Sequence, residues 1–358
     1  MKVYIESMGC DSNIADSNKV KKFLKENGIE IISDYKKAEF IILMTCGFNQ
    51  IILKDNINRL KELKKTGAKI ILGGCIPKIE PKFCKLADYN FNPRGFEKLN
   101  EIFNLNKDIE KISPEFKREK KKIIRIATGC DGRCTYCVIR IANGRTKSRS
   151  IKDIVNDIKE GIEEGYSNFI FTSEDNGSWG QDINSNISNL INEVISIKEN
   201  FKVALTTFNP QWFIKYPELY DLFKSEKIDK KIYLSLQSGS NRILKLMQRD
   251  YSVEGYIEIF NRLKKEIPEI KIQVDVLVGF PTETEEDFQK TFNLIKKLDI
   301  YFLQVFAYTD MKNTSAEKLK PKVSFEVAKK RAQKIINFFL EKHKEEKRNL
   351  VHTNLKIQ

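Results

Sequence analysis

Three cysteines in the run GCDGRCTYC, Cys130, Cys134 and Cys137, constrain this chain more than any other feature. Their C-x3-C-x2-C spacing offers three thiolates to one small metal cluster. A four-iron cluster held by three cysteines keeps one iron free for a ligand that is not protein. The run follows an apolar segment, Ile123 to Ala127, so it reads as a loop leaving a strand. A structural zinc knuckle is the alternative, but it needs a fourth Cys or His close by; none occurs within about forty residues on either side.

The chain holds 7 cysteines in all. That odd count, with no secretory segment, argues against a disulfide framework. Cys10, Cys46 and Cys75 each stand just after an apolar run, in VYIESMGC, FIILMTC and KIILGGC. Between these runs Val20, Phe23 and Leu24 share one helical face, and Leu60 and Leu63 share another. Alternating strands and helices predict a parallel sheet whose following loops emerge on one edge, which would gather three cysteines that the sequence separates. Three unrelated buried thiols are the alternative. Cys84, in KFCKLADY, has no such position and reads as structural.

Together the two triplets resemble the radical S-adenosylmethionine (SAM) methylthiotransferase family. SMGCDSNIADS, MTCGF and GGC are similar to its three N-terminal cysteine blocks, with Met44 where Asn is usual. Tyr136 matches the aromatic before the third cysteine of the GCDGRCTYC signature. LQSGSNRILKLMQRDYS and DVLVGFPTETEEDF resemble later blocks, so the likeness runs over nearly the whole chain. It implies two [4Fe-4S] clusters, one on Cys130, Cys134 and Cys137 and one on Cys10, Cys46 and Cys75, with SAM on the open iron of the first.

Organisation is predicted as α/β: an N-terminal parallel α/β domain (1–103), a charged linker (104–122) containing Pro114 and KREKKK, a partial (β/α)6 barrel (123–312) and a basic helical C-terminal segment (313–358). Six strand-like runs mark the barrel: IIRIAT, NFIFTSE, FKVALTT, KIYLSLQ, IKIQVDVLVGF and YFLQVFAYT. Ligand-binding residues are expected at their C-terminal ends. Thr284, with Asp287 three residues on, predicts a capped helix start, and Phe288, Phe292 and Ile295 its buried stripe. No apolar stretch approaches the roughly 20 residues of a membrane span, and the N-terminus enters a strand without a signal peptide, so no membrane partner is expected. Free thiols suit a reducing cytoplasm. Only two histidines occur, His343 and His352, which nearly excludes histidine-based triads from the body of the protein.

Candidate SAM contacts follow from the resemblance. Ser173 and Glu174 end the second barrel strand, where the family receives the amino group. Gln237 and Ser238 end the fourth, and Arg249 follows, its planar fork suited to the methionine carboxylate. Asp275 and Val278 end the fifth, where the family approaches adenine. Each has a plainer reading as a cap or turn residue.

The resemblance further implies that the reduced cluster cleaves SAM, that the resulting radical takes hydrogen from an unactivated C–H bond, and that sulfur held by the N-terminal cluster ends up there as a methylthio group. Reduction calls for an electron donor such as a flavodoxin or ferredoxin. Two targets compete. TCGF resembles the branch that modifies a ribosomal-protein aspartate, and TSEDNGSWGQD the branch that modifies threonylcarbamoyladenosine in transfer RNA. Tyr233 and Ser235 replace the usual His and Pro before LQSGS, and YTDMKNTSA lacks the family's arginine and glycine. From Met311 onward there are 13 Lys and Arg against 5 Glu, which suits RNA phosphates, an acidic peptide or a solvated helix face. No strand-rich segment for the family's terminal β-barrel domain follows the last helix. On that ground the expected target is a peptide or protein side chain, with transfer RNA as the alternative. A non-catalytic iron–sulfur sensor is the alternative of another class.

Overall fold

The structure, a computed structural model, describes residues 1–109, 112, 117–118, 121–346 and 350–355. Its first unit is a parallel sheet of β1 (Lys2–Met8), β2 (Glu30–Ile32), β3 (Phe40–Thr45), β4 (Lys69–Gly74) and β5 (Tyr89–Asn90) in the order β2-β1-β3-β4-β5. Helices cover both faces, which explains why β3 is apolar throughout rather than alternating. Successive side chains point to opposite faces. Ile42 and Met44 therefore join Val20, Phe23 and Leu24 of α1 (Asp11–Glu26) in one core. Ile41 and Leu43 join Leu53, Ile57, Leu60 and Leu63 of α2 (Gln50–Lys64) in the other. Asn49 starts α2 by accepting from the backbone N–H groups of Ile51 and Ile52, supplying acceptors that the first helical turn lacks. Ile109 also packs into the first core. Of the predicted linker 104–122, Pro114 and positions 119–120 of KREKKK lie outside the described residues, while Lys117–Arg118 pairs antiparallel with Lys121–Lys122.

The second unit is a curled sheet of eight strands among the described residues, seven of them parallel and one, Lys117–Arg118, antiparallel at its edge. The parallel strands are Lys121–Arg125, Asn168–Thr172, Lys202–Phe208, Ile228–Leu234, Lys271–Val278, Phe302–Ala307 and Val351–Thr353, and each pairs with the next. Six correspond to the six sequence runs. The seventh lies in the segment expected to be helical. Val351–Thr353 pairs with Phe302–Ala307, Leu350 is buried beneath it, and Asn354 exchanges two side-chain hydrogen bonds with the backbone of Ala307. Before it, the helix Phe325–Lys342 buries Ala328, Ala332, Ile335, Ile336 and Phe339. The helix Glu285–Lys297 starts at the predicted capping box of Thr284 and Asp287 and buries Phe288, Phe292 and Ile295. Among the described residues no helix is long and apolar enough to cross a membrane.

The two units meet along the edges where their strands end. The short helix α3 (Ile76–Ile79) packs against the helix Ile139–Asn143 of the barrel unit. Val138, Ala142 and Met311 complete the N-terminal core beside Ile76 and Ile79.

Candidate functional site

Strand register gathers the first triplet. Met8 of β1 lies opposite Thr45 of β3, and Thr45 opposite Gly74 of β4. Each strand is followed within two residues by a cysteine, so Cys10, Cys46 and Cys75 leave three adjacent strands at one edge. The loops are held closely. Asn13 Nδ2 donates to the Thr45 carbonyl at 3.0 Å and Ser7 Oγ to Asn13 Oδ1 at 2.6 Å. The Cys46 N–H donates to Asn56 Oδ1 at 3.0 Å, and the Cys75 N–H to the Thr45 carbonyl at 2.9 Å. Gly74 has φ +87°, and a Cβ there would run into the Thr45 carbonyl oxygen; only glycine takes this path without strain.

The thiols sense one another. Burial raises Cys75, and the charges of Cys46 and Cys10 raise it further. Cys46 is pushed up to about 12 by burial and then by Cys10. Cys10 keeps accessible surface, yet enough protein surrounds it that desolvation raises its thiol too. Three thiolates this close need a cation among them, which is what a metal cluster supplies. Cys84 sits on the turn Pro81–Leu86, partly buried against the N-terminal core.

The second triplet lies in one loop, closed at its base by pairing of Ala127–Thr128 with Lys147–Ser148. Each sulfur has a donor. The N–H of Gly132 reaches Cys130 Sγ at 3.2 Å, that of Ile139 reaches Cys137 Sγ at 3.5 Å, and Arg249 Nη1 reaches Cys134 Sγ at 3.1 Å. A Cβ on Gly132 would lie 3.1 Å from Cys130 Sγ, close enough to crowd it, and 3.8 Å from Cys134 Sγ, an ordinary contact. Burial and the neighbouring Cys134 push Cys137 up to about 12, and burial and Asp175 raise Cys130. Among the described residues no three His, Cys, Asp or Glu are drawn in tightly enough for a single ion. A four-iron cluster, with an iron for each thiolate, does not ask its ligands to converge on one point. Two sets of three thiols, one of them with an N–H donor at every sulfur, fit such a group.

Beside this loop the candidate SAM residues divide. Gln237, at φ +62°, bonds Asp275 through Nε2, and Asp275 keeps its Oδ1 buried with no partner. Arg249 bonds Tyr251 through Nε and Cys134 through Nη1, and leaves Nη2 buried and unpartnered. Burial raises the Asp275 carboxyl, and the charge of Arg249 opposes that rise. Tyr136 stands edge-on to Phe280 at 6.3 Å, its phenol raised by burial and by Cys134. Tyr136, Arg249 and Asp275 lie within electrostatic reach of one another, and Arg249 and Asp275 bring two orphaned groups of opposite charge, as an amino-acid ligand would ask. Ser238 and Val278 are engaged elsewhere. Ser238 Oγ lies 3.3 Å from Thr291 Oγ1 and accepts from the Ser240 N–H, and Val278 is fully buried in the barrel core. Ser173 donates to Asn176 within its own loop at 2.7 Å.

Glu174 occupies the junction of the two triplets. Its carboxylate accepts from Arg125 Nη2 at 2.9 Å, from Asn143 Nδ2 and from the Gly129 N–H at 2.9 Å. Its charge raises Cys10 and Cys75 on one side and Cys137 on the other. Arg125, Asn143 and Asp16 carry no local sequence signal of this role, apart from the place of Asp16 in the GCDSNIAD block. Asp175 is buried nearby and accepts from Trp212 Nε1 at 2.8 Å. An open cavity of about 580 Å³ beside the loop is lined by Arg133, Lys245, Gln248, Arg249 and Tyr251 among others.

Comparison with known proteins bears on both units. Residues 124–295 match the Radical SAM superfamily, and residues 2–90 match "Uncharacterized protein family UPF0004". A "Probable threonylcarbamoyladenosine tRNA methylthiotransferase" of Pyrococcus horikoshii is 34% identical over 89% of this chain and 80% of its own length. A "tRNA-2-methylthio-N(6)-dimethylallyladenosine synthase" of Fervidobacterium nodosum is 31% identical over 94% of this chain and 83% of its own. Among solved structures, the radical SAM methyltransferase TsrM from Kitasatospora setae superposes with a TM-score of 0.66 over 88% of this chain and 74% of its own, at 13% identity, a likeness of fold. With 34% identity to the first of these relatives over most of both lengths, the chain belongs to the radical SAM methylthiotransferases, enzymes that work with SAM and two [4Fe-4S] clusters.

Proposed function

We propose that this enzyme methylthiolates a modified adenosine of transfer RNA. The observation that carries the reading is the naming of relatives more than 30% identical over most of the chain, at 34% for threonylcarbamoyladenosine and 31% for dimethylallyladenosine. The peptide target expected from the sequence finds no support among them, and we set it aside. The cation-lined cavity beside the SAM loop and the net charge of +14 suit a phosphate-bearing substrate. Threonylcarbamoyladenosine is the better candidate of the two, since TSEDNGSWGQD also resembles that branch.

In this reading Cys130, Cys134 and Cys137 hold the SAM-binding cluster and Cys10, Cys46 and Cys75 the auxiliary one. The bound groups supply radical cleavage of SAM and the sulfur and methyl of the product. The protein's own residues orient. Arg249 offers its free Nη2 to the SAM carboxylate, Glu174 an acceptor to the amine, and Asp275 its free Oδ1 to a donor on the nucleoside part. The apolar packing of α3 on Ile139–Asn143 keeps water from the junction. Reduction would come from a flavodoxin or ferredoxin, and a transfer-RNA substrate places the work in the cytoplasm.

The test is nucleoside mass spectrometry of transfer RNA from cells with and without the gene. A methylthio-adenosine derivative should vanish on deletion and return with the wild-type gene. Unchanged transfer RNA, with a methylthio group found instead on a peptide, would reject the target and leave the enzyme class standing.

A further inference from the structure

We propose that Arg125 and Arg94 form a two-way clasp that sets the separation of the two thiol triplets, and through it the fraction of SAM cleavage that ends in methylthio product. Arg125, on the first barrel strand, reaches into the N-terminal unit. Its Nη1 pairs with Asp16 Oδ1 at 2.5 Å and donates to the Ser12 carbonyl at 3.4 Å, both on α1, the helix that Cys10 begins. Its Nη2 holds Glu174 at 2.9 Å, and all three charged side chains are at least nine-tenths buried. Ser12 Oγ adds a contact of 3.3 Å to Thr172 Oγ1 on the second barrel strand.

Arg94 crosses in the opposite direction. From the loop after β5, its Nη2 donates to the carbonyls of Thr128, at 3.0 Å, and Arg145. Thr128 belongs to the strand pair that closes the base of the loop carrying Cys130, Cys134 and Cys137, and Arg145 lies just inside that pair. Gly129 and Gly144 make room for it, because a Cβ on either would meet the Arg94 guanidinium. The Cys130 N–H in turn donates to the Gly144 carbonyl at 3.1 Å. Each unit thus sends one guanidinium into the segment that positions the other unit's thiols.

A rigid gap is what is required when one site takes hydrogen from a substrate carbon and the other delivers sulfur to that same carbon, whereas SAM cleavage needs only one of the triplets. Loosening the clasp should therefore leave cleavage largely intact and spoil its coupling to product. These are positioning residues. The inference rests on assigning one cluster to each triplet and not on RNA as the target.

The test compares Arg94→Ala, exposed and safe for folding, with Asp16→Asn, which keeps shape but removes the charge facing Arg125. With iron content at the wild-type level, deoxyadenosine formation should stay within about twofold while methylthio product per deoxyadenosine falls about tenfold, since small misplacements cost heavily in oriented reactions. Arg94→Lys, reaching one carbonyl rather than two, should recover part of that ratio. Electron paramagnetic resonance of the doubly reduced protein, which needs no substrate, should show weaker magnetic coupling between the clusters in both variants. If Asp16→Asn loses iron, Arg94→Ala alone decides. Unchanged coupling and unchanged product ratio in an iron-replete Arg94→Ala protein would overturn the proposal.

Discussion

The two thiol triplets reach similar chemistry by opposite routes. Cys130, Cys134 and Cys137 share a loop of a few residues, tied by an N–H donor at every sulfur. Cys10, Cys46 and Cys75 are neighbours only because β1, β3 and β4 end in register. The first is a local device that a loop sequence can carry. The second depends on a complete sheet, so it should fail whenever that sheet is disturbed. The division also matches the work proposed for each. In that proposal one triplet belongs to the barrel unit and takes SAM, and the other to a separate unit and carries the sulfur.

Removing the loop triplet gives the largest expected effect. Replacing Cys130, Cys134 and Cys137 with alanine should lower iron from about eight to about four per chain and abolish deoxyadenosine formation, measured anaerobically with a chemical reductant. Cleavage surviving at the wild-type rate would mean that SAM is bound elsewhere. Next in size comes Gly74→Ala. Backbone at φ +87° with a blocked Cβ position should destabilise the N-terminal unit by about 3 kcal/mol and remove its cluster, while SAM cleavage persists. Gly132→Ala makes the complementary lesion, crowding Cys130 Sγ in a loop without unfolding a sheet. If Gly74→Ala keeps eight irons, the sheet edge is not the holder of the auxiliary cluster.

A smaller effect is expected at Arg249. Lysine there keeps the charge but cannot serve Cys134 and the SAM carboxylate together. Affinity for SAM should fall about tenfold, an amount expected for one charge-assisted hydrogen bond, with iron content unchanged. Equilibrium dialysis with SAM measures this directly, and an unaltered affinity would remove Arg249 from the SAM site.

An effect on stability alone, leaving iron and SAM binding untouched, lies away from both triplets, at Glu283. Burial raises this carboxyl to about 7, against hydrogen bonds from the Gly279 N–H and Arg331. Its native pKa exceeds its unfolded one, so the native state binds the extra proton. The stabilisation is present in full below about pH 4.5 and is lost as pH rises through about 7, roughly 3 kcal/mol at most. Denaturant titrations should show that slope in the wild type and lose it in Glu283→Gln. An identical slope in the variant would assign it to other groups.

What was legible in the sequence was what local pattern encodes. Six barrel strands showed as apolar runs, the cysteines as their punctuation, and Thr284–Asp287 as a helix start. The seventh strand, Val351–Thr353, was not, because three residues with a histidine among them make no periodic signal. The side-chain directions of Ser238 and Val278 were also hidden, since a strand-end position does not say which way a residue points once the chain turns. Arg125 and Asp16 lie more than one hundred positions apart. Each reads alone as an ordinary charged residue, and only the docking of two units turns them into a buried pair.

The division of labour between the triplets is tested most directly by the Cys10, Cys46, Cys75 triple alanine variant, assayed anaerobically for iron, deoxyadenosine and methylthio product in one reaction. The account predicts about four irons, continued formation of deoxyadenosine, and no methylthio product. Product formed at the wild-type rate would contradict it.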